Sequence, residues 1–227
     1  MLKRGGSPEH AKGVKRFFNE EVHSHGWRTA DLRRQAHQLT GKIYKTTGLD
    51  FLLAVADNLF SGRVLEEKIF AVLLLEKLTG EFGDPQFRLF ESWLARIRTW
   101  AEHDALVHDL IAPMIVAEPK RVRAVFQWAK SQNRWHRRAA CVALIRAARQ
   151  KQFFLEITRL SNLMLDQDDD MVQKGLGWLL RETAKADPKR TIPYLIEIRD
   201  RAPRRVLRTA CETLSPAERL RVSVRPA

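Results

Sequence analysis

Asp104 is the single acid in a column of residues that is otherwise cationic. Arg33, Lys68, Asp104, Arg138, Lys174 and Arg208 follow one another at spacings of 34 to 36 residues. A polyanion is the natural ligand of such a column, because each neutralised phosphate releases condensed counterions. A carboxylate set among those cations can stabilise positive charge that develops on the bound molecule. Trp100 lies one helical turn before Asp104, and Trp178 one turn after Lys174. Residues four apart share a helix face, and the faces of indole rings attract cations. The pattern therefore predicts an aromatic-walled, acid-containing site in a basic groove, with Trp100 and Trp178 as walls. A lone tryptophan is by default a core residue, and Trp128 and Trp135 are read that way.

Each column residue opens an apolar run, as in Lys68-Ile-Phe-Ala-Val-Leu-Leu-Leu and Arg138-Ala-Ala-Cys-Val-Ala-Leu. Charge, length and apolar content recur together, which sets the column above what 40 Lys and Arg would give by chance. The period is that of a stacked helix pair. The expected fold is all-α, a HEAT-like helical repeat solenoid with a concave basic groove. Apolar residues at three- and four-residue spacing predict helices over Leu49–Phe60, Val64–Leu78, Pro85–Trp100, Arg121–Gln132 and Trp135–Ala148, with a further helix beginning near Thr29. Breakers at Gly62, Gly80 to Gly83, Pro119, Asp187-Pro188 and Ala202-Pro203 divide the chain into about ten helices. The run from Asp166 to Asp170 lacks the glycine and terminal glutamate of a calcium loop, so it reads as an N-cap and first helical turn. His23-Ser-His25 reads as a loop. Cys141 and Cys211 sit in apolar runs without metal-ligand spacing and read as reduced packing residues. No metal and no cofactor is expected.

The 44% hydrophobic content and 227 residues fit one core, and a single domain over residues 1–227 is expected. No run of about 18 apolar residues and no signal-like N-terminus occur, so neither a membrane partner nor export is expected and the location reads as cytoplasmic. The net charge of +13 is uneven: residues 119–160 hold 11 Lys and Arg against one Glu, whereas residues 1–118 hold 16 of each sign. That block, which includes Arg146, points to nucleic acid.

The segments Arg98-Thr-Trp-Ala-Glu-His-Asp104, Trp128-Ala-Lys-Ser-Gln-Asn-Arg-Trp-His-Arg-Arg-Ala-Ala140 and Met171-Val-Gln-Lys-Gly-Leu-Gly-Trp-Leu-Leu-Arg-Glu182 resemble the DNA alkylation repair glycosylases of the AlkD type. The resemblance extends to Val14-Lys-Arg-Phe-Phe and Gly26-Trp-Arg-Thr-Ala-Asp-Leu-Arg33. It implies a monofunctional enzyme that hydrolyses the N-glycosidic bond of N3- or N7-alkylated, cationic purines in double-stranded DNA, without inserting the base into a pocket and without lyase activity. It also implies Asp104 as the functional carboxylate, Trp100 and Trp178 as the lesion-side aromatics, and Arg138 and Arg181 as cations facing DNA. Lys174, Arg208, Arg146, Lys68 and Arg33 join them as expected phosphate contacts, and the protein is expected to act as a monomer. Where some members carry a second aromatic and an extra acid around the aspartate, this chain has Ala101, Glu102 and His103. Two other readings stay open: a catalytically silent helical-repeat protein that binds damaged or branched DNA, since some relatives that lack the aspartate bind DNA without cleaving it, and a scaffold for an acidic protein.

Overall fold

A computed structural model of the chain describes residues 1–223; the last four residues of the expected single domain lie outside it. Two compact units are defined, Met1–Ile111 and Ala112–Ala227. The first contains α1 (Leu2–Gly5), α2 (Pro8–Lys15), α3 (Thr29–Phe60), α4 (Leu65–Leu75), α5 (Asp84–Trp93) and α6 (Trp100–Leu106). The second contains α7 (Ala112–Ala117), α8 (Arg123–Trp128), α9 (Arg134–Val142), α10 (Ile145–Arg149), α11 (Phe154–Met164), α12 (Asp170–Ala186), α13 (Pro188–Ile198), α14 (Arg204–Ala210) and α15 (Pro216–Ser223). Among the described residues no β-strand forms, and no helix is long and apolar enough to cross a membrane.

The fold is all-α and built from helical repeats, as the period predicts. All six column positions fall on helices, and those helices pack in order. In the first unit α3 packs on α4 and α4 on α6; in the second α9 packs on α12 and α12 on α14. Three polar side chains find their partners one repeat along the chain. The Thr40 hydroxyl donates to the Leu74 carbonyl at 2.8 Å, the Trp93 indole N–H to Asp57 at 2.7 Å, and Arg149 to Glu182 at 2.8 Å. Separations of 33 to 36 residues are one repeat, so the period exists in hydrogen bonds as well as in packing. A buried donor without an acceptor would cost about 1–3 kcal/mol.

Local chemistry sets the boundaries. Gly48 (φ 77°) kinks α3, a left-handed conformation that glycine adopts without steric cost. The expected continuous helix over Pro85–Trp100 is instead two. After α5 a 3-10 turn over Leu94–Arg96 runs into extended backbone at Ile97 and Thr99, and Trp100 opens a new helix. Thr99 starts the second helix, its hydroxyl accepting the Glu102 N–H at 3.3 Å as an N-cap. The acidic run ahead of Met171 is the cap expected of it. The Asp169 carboxylate accepts from Met171 and Val172 N–H at 2.9 and 3.2 Å, and from Arg134 Nη2 at 3.0 Å. Burial pushes this carboxyl upward, but the Arg134 hydrogen bond and the backbone donors outweigh it and hold it below the usual carboxylate range.

The first core centres on Phe60, Phe90 and Trp93, all fully buried. Phe60 stacks on Trp93 at 4.4 Å and Phe90 meets Trp93 edge-on at 5.2 Å; such pairs add roughly 0.5–1.5 kcal/mol beyond burial. The second core is organised by α12, whose Val172, Leu176, Leu179 and Leu180 are buried. Its Gly175 and Gly177 exist for approach: a Cβ on Gly177 would stand 2.9 Å from Thr209 Cβ of α14, and one on Gly175 would stand 3.2 Å from Arg138 Cγ of α9. Trp128 and Trp135 are buried. We expect Gly177→Ala to lower stability by about 1 kcal/mol net, because overpacking of about 1–3 kcal/mol exceeds the roughly 1 kcal/mol gained in helix propensity. A thermal melt checks it; a midpoint above wild type would show that α12 and α14 are not in close contact.

Candidate nucleic-acid interface and carboxylate site

The start of α6 points its side chains in opposed directions. Glu102 and His103 are buried, at 2% and 0% exposure, whereas Trp100 is 36% exposed and Asp104 keeps 22% of its side chain accessible. Glu102 faces inward because Lys68 waits there. Lys68 Nζ lies 3.2 Å from Glu102 Oε2 and donates to the Arg96 carbonyl, and the same carboxylate accepts the Arg98 N–H at 2.9 Å. The ammonium also sits 5.2 Å from the Phe60 ring centre. Burial pulls the Lys68 ammonium below the usual lysine range, and the proximity of Glu102 offsets only part of that fall.

Lys68 is therefore corrected from phosphate contact to buried strut: at 1% exposure it cannot reach DNA. Arg138 is corrected in the same sense. It is 5% exposed, its Nη1 donates to the Met171 carbonyl at 2.7 Å, and its stem lies against Gly175. Arg33 is half-exposed but neutralised by Glu76, with Asp109 Oδ2 at 3.8 Å. Three of the remaining expected cations, Lys174, Arg208 and Arg146, are exposed, and Lys174 pairs with Asp170 on its own helix at 2.7 Å. Arg181 is intermediate, between Glu182 at 3.3 Å and Glu212 at 3.0 Å. The first unit holds 16 Lys and Arg against 15 Asp and Glu, the second 24 against 12, so nearly all the excess charge belongs to the second.

Two groups of site residues result. In the first unit, α6 brings together Trp100, His103 and Asp104, and His103 Nδ1 lies 2.7 Å from Asp104 Oδ1. A fully buried ring at that distance fixes the carboxylate's orientation. Trp100 stacks on Phe18 at 5.3 Å, with an interplanar angle of 26°. In the second unit, α12 carries Lys174, Trp178 and Arg181, with Arg138 packed beneath Gly175. Trp178 is half-buried, and its indole N–H has no hydrogen-bond partner among the described residues. Sequence reasoning missed His103, Glu102 and Phe18 as supports. The Thr-x-x-Glu spacing at Thr99 and Glu102, a helix-start signal, marked the first two. Among the described residues no group of three His, Cys, Asp or Glu side chains could hold a metal ion.

A helical-repeat chain with a supported carboxylate, accessible tryptophans and a strongly basic second unit is the build of a DNA-processing protein. The family model for DNA alkylation repair enzymes matches residues 1–214, and the chain belongs to that family. No curated protein matches. Among solved structures, a predicted DNA alkylation repair enzyme from Enterococcus faecalis superposes with a TM-score of 0.85 at 15% identity, over 95% of this chain and 100% of that one. AlkD2 from Streptococcus mutans gives 0.61 at 17% identity over 91% and 98%, and smu.31 from Streptococcus mutans UA159 gives 0.61 at 18% over 82% and 97%. At these identities the likeness is one of fold. The family makes this a DNA repair enzyme with DNA as its partner.

Two outcomes are expected. Lys68→Met should cost about 3–5 kcal/mol because it strands a buried carboxylate, and adding Glu102→Gln should return part of that loss; additive losses in a double-mutant cycle would show that the two do not interact. Lys174→Ala, Arg208→Ala and Arg146→Ala should each reduce the slope of log affinity for duplex DNA against log salt by about one, whereas Arg138→Ala should lower the melting temperature and leave the slope nearly unchanged. A flat salt response in the wild type would remove the exposed cations from the interface.

Proposed function

We infer that the protein is a monofunctional alkylpurine DNA glycosylase, hydrolysing the N-glycosidic bond of N3- and N7-alkylated purines in duplex DNA as a monomer in the cytoplasm, associated with the nucleoid when bound to DNA. One observation carries the reading: in a chain of the alkylation repair family, a partly accessible carboxylate, Asp104, is held by a buried histidine one turn from an exposed tryptophan.

The chemistry suits such a site. An alkylated purine bears positive charge, and cleavage of the C1′–N9 bond sends the electron pair to the base and neutralises it. Strong general-acid help is unnecessary. The deoxyribose becomes cationic, and Asp104 lowers the energy of that charge and orients the water that attacks C1′; the water's proton passes to the carboxylate or to solvent. The products are a free base and an abasic site with the strand intact, since no lysine acts as a Schiff-base nucleophile. Trp100 and Trp178 favour the cationic nucleotide through their π faces. Lys174, Arg208, Arg146 and Arg181 hold phosphates in a basic groove, and the lesion is gripped from the backbone side without base insertion.

Asp104→Asn keeps the shape and the phosphate contacts but removes the charge. Single-turnover release of 7-methylguanine should fall by about a hundredfold or more, with duplex affinity within about threefold of wild type. Undiminished release would take Asp104 out of the mechanism. A wild type that binds alkylated duplex and releases nothing would leave a silent DNA-binding protein.

A further inference from the structure

The N-terminal arm carries features that the reading above does not use. Residues 1–18 hold five Lys and Arg (Lys3, Arg4, Lys12, Lys15 and Arg16) against one acid, Glu9, a net +4 in a unit whose remaining residues hold 11 Lys and Arg against 14 Asp and Glu. At the end of α2 the chain makes a tight turn, with Phe17 N–H donating to Val14 O at 3.1 Å and Phe18 N–H to Lys15 O at 3.3 Å. The turn separates two adjacent phenylalanines: Phe18 goes inward onto Trp100, while Phe17 is left 76% exposed beside the exposed Lys15 and Arg16. Phe17, Phe18 and Trp100 line one cavity of about 230 Å³, together with Trp27 and Ile69.

A single exposed phenylalanine is ordinary, but this one sits on an arm that is anchored to the body of the unit. Glu66, 4% exposed, accepts the Ser24 hydroxyl at 2.5 Å and the N–H groups of His25, Gly26 and Trp27 at 2.9, 2.9 and 3.3 Å. Gly26 (φ 78°) passes so close to α2 that a Cβ there would meet Ser7 O at 2.0 Å. Trp27 in turn donates from its indole to Leu2 O at 2.8 Å. A buried carboxylate committed to four donors of one loop fixes that loop on the start of α4, and the loop in turn holds the arm through the Ser7 N–H to Gly26 carbonyl bond at 2.9 Å and the Trp27 indole.

We propose that Phe17, flanked by Lys12, Lys15 and Arg16, is a DNA contact that stacks on a base left partly unstacked next to the lesion, the three cations holding the adjoining phosphates. An aromatic face in a basic setting binds bases irrespective of sequence, and a duplex whose stacking is already weakened surrenders a base most cheaply. The proposal rests on DNA being the partner of this family and is independent of the bond cleavage assigned to Asp104.

The test is equilibrium binding of the full chain to an intact duplex and to the same duplex with one tetrahydrofuran abasic analogue. Phe17→Ala should keep the wild-type melting temperature, lose about tenfold in affinity for the abasic duplex, and change by less than about twofold on the intact one; Phe17→Trp should restore binding. Lys15→Ala and Arg16→Ala should weaken both complexes and each lower the salt slope by about one. Equal affinity of Phe17→Ala and wild type for the abasic duplex would overturn the proposal, as would an equal loss on both duplexes. Loss confined to the abasic duplex in a protein that releases no base would uphold the stacking role and refute the glycosylase reading.

Discussion

A buried lysine must find an acid, and in this chain it finds one a repeat away. Removing an ammonium and a carboxylate from water costs several kcal/mol each, repaid only when geometry and extra hydrogen bonds are good. Lys68 and Glu102 meet that condition through the Arg96 carbonyl and the Arg98 N–H. Because the pair fixes which way Glu102 points, it also fixes what lies two residues on. Successive residues are rotated by about 100° along a helix, so with Glu102 inward, Trp100 and Asp104 look outward. His103, fully buried between them in sequence, then holds the carboxylate. The outward direction of Trp100 and Asp104 thus depends on a pair buried beneath them.

The same logic runs through the second unit. Arg138 spans from α9 to the Met171 carbonyl of α12, and Gly175 leaves room for its stem. Glu182 takes Arg149 and Arg181, whose pull overcomes burial and keeps its carboxyl below the usual range. The division of labour between the units is uneven: the first carries the supported carboxylate, the second carries the net charge.

The repeat was legible in the sequence because the period of charge and apolar content is the period of packing, and all six column residues lie on the stacked helices. The Asp169 cap and the burial of Trp128 and Trp135 were legible for equally local reasons. The direction of each cation was not. A spacing of 34 to 36 residues places a side chain on a row of helices, and that row offers a position between helices as readily as one facing solvent. Lys68 and Arg138 took the first, Lys174 and Arg208 the second. The break before Trp100 was hidden because apolar periodicity continues through Leu94 and Ile97; only Thr99 and Glu102 announced it.

The central claim is that charge on the base, met by a carboxylate and π faces, drives its release. Matched duplexes carrying 7-methylguanine, which is cationic, or hypoxanthine, which is neutral, separate that claim from others under single-turnover conditions. The account predicts free 7-methylguanine, an intact strand until alkaline treatment, and no detectable hypoxanthine. Equal release of both bases, or release of neither, would contradict it.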